Sequence, residues 1–349
     1  MVELSNLSEQ KPLGPAAPMQ RATLSDVARL AGVSIKTVSR ALTGEPNVAE
    51  PTRRAVYEAA RRLHFRPNRL ARDLRRGAVS TTVGFVVGDL ENPFYSAVAA
   101  GAERVLRSKG LELVIGATDD DPERERNVIR AMIERRVQAL LVAPVGEDHS
   151  YLEGEREMGT PLVFVDRPPK NLAATSVLLD NRGGAFKAVR ALVAEGHQRI
   201  GFVADLDTLF TANERLVGYR EALEAHDISY DATLVHFNCR HAPDAIVAFE
   251  KMMDLNNPPT AIIGLNNVIS VGMMMAVKKS GISVAYVGFD DFELAEAFEV
   301  SVIGFDVAGL GGVAAEAAVA RFGDATSAHE TIVIETTLIL RGSEKGLKL

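Results

Sequence analysis

The sequence has few of the features that mark secreted or membrane proteins. Its 349 residues include a single cysteine, Cys239, so the chain cannot form an internal disulfide framework. No apolar run approaches the ~18 residues that a transmembrane helix requires. Residues 1–20 lack the apolar core of a secretory signal. We therefore expect residues 1–20 to be a disordered tail, and we expect no membrane partner and a reducing, cytoplasmic location.

Motifs of enzymes are also missing. There is no Gly-x-Ser-x-Gly elbow or Walker loop, and the seven histidines are scattered rather than spaced as metal ligands. We therefore expect no catalytic residues, no metal site and no cofactor.

The net charge of −7 is distributed unevenly along the chain. Between Arg21 and Gly77 there are thirteen Lys or Arg residues against five Asp or Glu residues, whereas residues 78–349 carry a net charge of −14. A basic module attached to an acidic body is typical of a protein that binds nucleic-acid phosphates at one end.

The sequence of residues 23–42, TLSDVARLAGVSIKTVSRAL, predicts two short helices within a DNA-binding domain that spans residues 21–66. Thr23 and Asp26 form a capping-box pattern, Gly32 ends the first helix, and Ser34 caps the second. Two helices joined by a tight glycine turn indicate a helix-turn-helix, whose second helix enters a major groove. A generic three-helix bundle with a solvated basic face is the alternative for these residues alone.

Residues 67–80 are predicted to form a hinge helix and linker. The segment FRPNRLARDLRRG, residues 65–77, contains five arginines, and its apolar residues Leu70, Ala71 and Leu74 fall at helical spacing. An apolar wedge among arginines suits a short helix in a minor groove, with Leu74 inserted between base pairs.

From residue 81 to residue 349, apolar strand-like runs alternate with helical stretches, which indicates parallel sheets covered on both faces. The pattern breaks at residues 180–184 and then restarts, so we expect two similar α/β lobes with a cleft between them. Ligands of such sheets bind beyond the carboxyl ends of the strands. Polar residues end the apolar runs there, namely Asp89 with residues 92–95, then Asp166, Asn266 and Asp290. Asp89 and Asp166 fit equally well as helix caps or strand ends, and Phe94 as a core residue.

The head and hinge motifs resemble those of the lactose-repressor/galactose-repressor (LacI/GalR) family, and the resemblance continues to Gly342. It implies an all-α helix-turn-helix headpiece plus an α/β body of two parallel-sheet lobes, like a periplasmic binding protein. The DNA contacts that it implies are Ile35, Lys36 and Arg40 at base edges, Thr23, Ser34, Thr37, Ser39, Asn47 and Arg53 at the DNA backbone, and Ala71 and Leu74 in the hinge.

The resemblance also implies a small-molecule effector between the lobes. Phe94 and Tyr95 would stack against it from the first lobe, and Arg215 and Asp290 would grip it from the second. A guanidinium and a carboxylate that face one ring bind vicinal hydroxyls as donor and acceptor. A sugar or nucleoside is therefore the expected effector class. The further candidates are Asp89, Asp166, Thr211 and Asn266.

The expected protein is a homodimeric repressor that reads a near-palindromic double-stranded DNA operator and changes its operator affinity when the effector binds. The alternatives are control by a protein corepressor, without sugar sensing, and an α/β enzyme with an appended DNA-binding domain. Three places depart from the family pattern. Asn267 stands where relatives usually have Asp, the loop at Gly281–Val284 is short, and Val300–Gly312 replaces a polar crossover that usually ends with Gln-Pro.

Overall fold

The computed structural model describes residues 22–66, 80–323 and 328–347. Its contacts divide the chain into two units, with the boundary between Val79 and Ser80. The predicted tail and most of the predicted hinge, including Ala71 and Leu74, lie outside the described residues, so the hinge assignments stay predictions.

The first unit contains three helices, α1 (Leu24–Ala31), α2 (Ile35–Leu42) and α3 (Glu50–Arg62). The predicted capping box is present, since the Thr23 amide donates to Asp26 Oδ2 at 2.9 Å and the Asp26 amide donates to Thr23 Oγ1 at 3.3 Å. Gly32 ends α1 with φ of 65°, a left-handed conformation that residues with a side chain rarely adopt. The predicted helix-turn-helix is thus confirmed.

One valine from each helix forms the centre of the headpiece core. Val27, Val38 and Val56 are completely buried. Each belongs to the apolar face of its helix, and burying these faces together orients the three helices. The polar outer face of α2 is left exposed to solvent.

The second unit is built from two six-stranded sheets. Lobe 1 has the strand order β11-β5-β4-β3-β1-β2, and lobe 2 has the order β12-β10-β9-β8-β6-β7. All pairs are parallel except β10 with β12. The strands are β1 (Thr82–Val87), β2 (Glu112–Ala117), β3 (Ala139–Val142), β4 (Leu162–Val165), β5 (Thr175–Leu179), β6 (Ile200–Val203), β7 (Val235–His236), β8 (Ala261–Gly264), β9 (Ala285–Phe289), β10 (Ser301–Gly304), β11 (Thr331–Ile334) and β12 (Thr337–Ile339).

Helices cover both faces of each sheet, as the apolar strands predict. The exceptions are the edge strands β2 and β11, where Val114, Ile115 and Val333 are 38%, 43% and 52% exposed. The helices are α4 (Pro93–Ser108), α5 (Pro122–Glu134), α6 (Glu153–Glu157), α7 (Asn181–Ala194), α8 (Phe210–Ala225), α9 (Ala242–Met253), α10 (Asn267–Ser280), α11 (Glu293–Ala297) and α12 (Val307–Ala320). Across the described ranges, no helix combines the length and apolar character needed to cross a bilayer.

The chain passes between the lobes three times. It leaves lobe 1 after β5 and enters α7, leaves lobe 2 after β10 and enters α12, and crosses again between β11 and β12. Leu310 and Ala314 of α12 therefore belong to the core of lobe 1. The break in the sequence pattern predicts the first crossing but not the return.

Glycines let the crossing helices approach closely. A methyl group on Gly101 of α4 would overlap the carbonyl oxygen of Ala308 in α12, and one on Gly218 of α8 would overlap that of Arg182 in α7. The two helix pairs therefore pack backbone against backbone, one pair in each lobe.

Candidate functional sites

The outer face of α2 carries the residues predicted to read bases. Ile35 is 52% exposed, and Lys36 and Arg40 are also exposed. Arg40 Nε lies 3.4 Å from Glu45 Oε2, and both side chains are open to solvent. Exposed ion pairs contribute at most about 1 kcal/mol. Arg40 can therefore exchange Glu45 for a base at low cost.

The residues predicted to contact the DNA backbone have several local roles. The hydroxyls of Thr23 and Ser34 cap α1 and α2, and Ser34 Oγ also lies 2.9 Å from Thr37 Oγ1. Arg53 Nη2 donates to the carbonyl of Glu45 at 2.9 Å. Two further members of this set are half-buried Ser39 and exposed Asn47.

A cleft of about 450 Å³, including the open solvent at its mouth, lies between the lobes. It brings together seven of the eight predicted effector residues, all except Asp89. The residues that line it are Asn92, Phe94, Tyr95, Asp166, Arg167, Asp205, Leu209, Thr211, Ala212, Arg215, Leu265, Asn266 and Asp290.

Asp89 follows β1, as the sequence suggests, but it does not line this cleft. Its Oδ1 accepts a hydrogen bond from the amide of Glu91 at 2.8 Å. The side chain therefore closes the turn that leads to α4, which is the local role that the sequence left open for it.

Lobe 2 contributes a buried pair of opposite charges, Arg215 and Asp290, which are 6% and 5% exposed. Arg215 Nε donates to Asn181 Oδ1 at 2.8 Å, Nη1 donates to the Leu265 carbonyl, and the guanidinium carbon lies 3.7 Å from the centre of the Phe289 ring. These contacts fix the guanidinium plane at the base of the cleft.

Asp290 is poorly satisfied by the protein. Its Oδ2 accepts a long 3.4 Å bond from the Asn267 amide, and its Oδ1 has no hydrogen-bond partner among the described residues. Burial raises the pKa of Asp290 to about 6, although the charge of Arg215 opposes this rise. A buried acceptor without a partner costs free energy, which a ligand hydroxyl placed there would recover.

Lobe 1 contributes an aromatic pair held by an ion pair. Arg167 Nη2 donates to the Tyr95 hydroxyl at 3.1 Å, and Arg167 Nε lies 3.4 Å from Asp166 Oδ2. The rings of Phe94 and Tyr95 meet edge to face with 5.1 Å between their centres. Phe94, only 9% exposed, is thus both a core residue and part of the cleft wall.

Two residues of the cleft, Arg167 and Asp205, were not predicted from the sequence, although both follow the ends of apolar strands, β4 and β6. The rule that selected Asp166 and Asp290 would have found them. Asp205 Oδ2 accepts from Asn266 Nδ2 at 3.3 Å, while Asn266 Oδ1 caps α10 by accepting from the Ile269 amide at 2.7 Å. Asn266 is therefore a helix cap that also lines the cleft.

The family departure at Asn267 lies beside the cleft. Its backbone amide donates to Asp290 Oδ2 at 3.4 Å, and its side-chain Oδ1 is buried without a hydrogen-bond partner among the described residues. Within residues 22–66, 80–323 and 328–347, no group of three or more His, Cys, Asp or Glu side chains is arranged to hold a metal ion.

Comparisons with known proteins agree with this architecture. Residues 80–300 match the family described as periplasmic binding proteins and sugar binding domain of LacI family, and residues 23–68 match bacterial regulatory proteins, lacI family. The transcriptional regulator GalR of Salmonella typhimurium (strain SL1344) is 32% identical over 328 residues, which cover 92% of this chain and 96% of that protein.

Two further relatives are similar over nearly their whole length. The ribose operon repressor of Haemophilus influenzae is 29% identical over 94% of this chain and all of that protein. The solved complex of the transcriptional regulator CelR with cellobiose is 28% identical, with a TM-score of 0.68 over 93% of this chain and all of that one. The predicted family and fold class are thus confirmed: this chain belongs to the LacI family of DNA-binding transcription regulators, with a helix-turn-helix headpiece and a two-lobed ligand-binding body.

Proposed function

We propose that this protein is a homodimeric, cytoplasmic transcriptional repressor without enzymatic activity. It binds a near-palindromic operator through α2, with Ile35, Lys36 and Arg40 at base edges. An uncharged sugar or nucleoside bound between the lobes changes its operator affinity. A two-fold dimer matches a two-fold operator, because each headpiece reads one half-site.

The observation that carries this proposal is that one cleft holds both the buried guanidinium of Arg215 and Asp290, whose Oδ1 has no hydrogen-bond partner among the described residues. A fixed donor beside an acceptor that lacks a partner is suited to two adjacent hydroxyls of one ring. The aromatic pair on the opposite lobe offers apolar surface to the face of such a ring.

The charges in the cleft favour an uncharged ligand over a phosphorylated one. Three carboxylates line it, from Asp166, Asp205 and Asp290, against two guanidiniums, from Arg167 and Arg215. Both guanidiniums already donate to protein oxygens. A phosphate group would therefore meet excess negative charge in the cleft.

The relatives support a sugar or nucleoside as the class of ligand, and they do not identify the compound. CelR was solved with cellobiose, and the Haemophilus relative is named as a ribose operon repressor. The hinge residues Ala71 and Leu74 belong to the same proposal, and they rest on the sequence alone.

The test is operator binding by the full-length protein at fixed salt, since affinity for DNA depends steeply on salt. The probe is the promoter region of its own gene, and the panel pairs each pentose, hexose and nucleoside with its phosphate ester. We expect one uncharged compound to shift operator affinity at least severalfold while its phosphate ester does not.

The matched control is Arg40→Ala, which should lose the specific operator while keeping ligand-induced thermal stabilisation. A response to phosphate esters alone would contradict the charge argument. Specific operator binding that no compound shifts would instead favour a protein corepressor.

A further inference from the structure

Two loops from opposite lobes meet beside the cleft. Asp120 follows β2 in lobe 1, and Arg240 follows β7 in lobe 2. Arg240 Nη2 donates to Asp120 Oδ2 at 3.0 Å and to the carbonyl oxygen of Asp119 at 3.3 Å. Neither Asp120 nor Arg240 lines the cleft. We call Asp120, Arg167 and Arg240 the clasp.

Backbone hydrogen bonds hold both loops at equivalent places in their sheets. In lobe 1 the amides of Thr118 and Asp119 donate to the carbonyls of Val87 and Gly88, at 2.9 and 2.7 Å. In lobe 2 the amides of Asn238 and Cys239 donate to the carbonyls of Asp205 and Ala204, at 3.1 and 3.0 Å. Each loop is thus anchored to the end of the strand next to the sheet edge in its own lobe, β1 or β6.

The space around Asp120 is closely fitted. A methyl group on Gly88 would collide with Asp120 Oδ1. The Asp120 side chain is only 7% exposed, whereas that of Arg240 is 33% exposed. The carboxylate is therefore a fixed, mostly desolvated acceptor, and the arginine reaches it from the other lobe.

Arg167 is the member of the clasp that also lines the cleft. Arg167 Nη1 donates to Asp120 Oδ1 at 3.3 Å, and Nη2 donates to the Tyr95 hydroxyl at 3.1 Å. Arg167 and Tyr95 both line the cleft. One carboxylate is thus shared between an arginine of the ligand site and an arginine of the opposite lobe.

We propose that Arg240 is a positioning residue that holds lobe 2 against Asp120 and so sets the free energy of lobe closure. A ligand that touches both lobes binds more weakly when closing them costs more, because the closed state is then a smaller fraction of the population. The effect on effector affinity rests on the proposed function, but the clasp itself does not.

Hydrogen exchange of the full-length protein without ligand tests the clasp. The variant is Arg240→Met. The matched control is Arg199→Met, which removes an arginine that bonds Asp231 at 2.7 Å within lobe 2 alone. We expect Arg240→Met to speed exchange about fivefold in segments 116–122 and 236–242 together, the order expected for a partly buried ion pair. The control should leave segment 116–122 unchanged.

Exchange that changes only near residue 240, or not at all, would overturn the clasp, because a local role of Arg240 cannot loosen the opposite lobe. Arg240→Lys should restore most of the protection in segment 116–122. Asp120→Asn alone should speed exchange in both segments at least as much as Arg240→Met, since it weakens the contacts of Asp120 with both Arg240 and Arg167.

Ligand affinity gives the second readout. With the compound found in the operator assay, Arg240→Met should weaken binding about fivefold and Arg199→Met should not. If Arg240→Met speeds hydrogen exchange in both segments but no compound binds the parent protein, the proposed effector class is wrong and the clasp is still supported. If a compound binds Arg240→Met as tightly as it binds the parent protein, the positioning role is wrong.

Discussion

The two lobes have equivalent strand orders. Features that both lobes share belong to the common fold, and features that differ between them are specific to the ligand site. In each lobe the fourth strand along the chain, β4 or β9, ends at an aspartate in the left-handed region, Asp166 with φ of 70° and Asp290 with φ of 69°. The amide of each donates to the next strand at 2.9 Å, to Val177 or Ile303. The backbone of the site is therefore duplicated.

The side chains are not duplicated. Asp166 has Arg167 as its chain neighbour and ion-pair partner, whereas Asp290 is followed by a second acid, Asp291, which pairs with Arg341 outside the cleft. Among the residues that the structure describes, Asp290 Oδ1 has no hydrogen-bond partner. The carboxylate of Asp166 in lobe 1 is thus already paired with an arginine. The carboxylate of Asp290 in lobe 2 offers an acceptor to which a ligand can donate.

The edge of each sheet gives a second contrast. The last strand of lobe 1, β11, runs parallel to β5, whereas β12 runs antiparallel to β10. Only two residues separate β11 from β12. A chain that passes directly from one lobe to the other keeps its direction, so the two edge strands cannot have the same orientation relative to their sheets.

The largest expected effect tests the shared architecture. Gly101→Ala and Gly218→Ala should each destabilise the body by about 3 kcal/mol or more, because each methyl would overlap a carbonyl oxygen of the facing helix. Thermal and urea unfolding would measure the loss. The control is Gly312→Ala, where the added methyl lies 3.7 Å from Val105 Cγ2, an ordinary contact. If only one of the two glycines is sensitive, the lobes are not equivalent in packing.

The next effect tests the asymmetry of the site. Asp290→Asn should weaken ligand binding about hundredfold, because the buried carboxylate that accepts from ligand hydroxyls becomes an uncharged amide with a single acceptor oxygen, while Asp166→Asn should weaken it only about tenfold. Calorimetric titration with the active compound would measure both. Equal losses would remove the distinction between the lobes.

Stability should change in the opposite direction to affinity. Asp290 has a pKa of about 6 against an ordinary value of 3.8, so keeping it ionised at neutral pH costs about 3 kcal/mol. Asp290→Asn should therefore stabilise the ligand-free protein at pH 7.5, as urea unfolding would show. A loss of stability there would mean that Asp290 is satisfied in the free protein.

The smallest effect is on pH dependence. Because the folded pKa of Asp290 lies above the unfolded value, its stabilising contribution is complete below about pH 4 and is lost as the pH rises through 6. Lowering the pH from 7 to 5 should therefore raise the free energy of unfolding of the parent protein by about 1 kcal/mol more than that of Asp290→Asn. Burial also raises the pKa of Asp166 and of Asp205, so part of the dependence will persist in the variant. Identical pH profiles would contradict the assignment.

Much of the headpiece could be predicted from the sequence because its signals are local. The Thr23 and Asp26 capping box, the Gly32 turn and the Ser34 cap each involve residues within four positions of one another. Their hydrogen bonds form whenever the helix forms, independent of the rest of the chain.

The body could be predicted only in outline. Apolar runs that alternate with helical stretches determine parallel sheets, and polar residues at strand ends indicate the ligand edge, which located Asp166 and Asp290. The same signal also selected Asp89, which instead closes a turn. A strand end shows that a side chain is near the edge of the sheet, but not which way the following loop turns it.

The sequence by itself determined the helix-turn-helix, the alternating α/β pattern and the separation of a basic head from an acidic body, because all three depend on local order and composition. Only the tertiary structure decided the return of α12 to lobe 1, the unsatisfied oxygen of Asp290 and the pairing of Asp120 with Arg240. Each of these joins residues that are far apart in the chain. Their energies depend on burial and distance, which the folded arrangement alone sets.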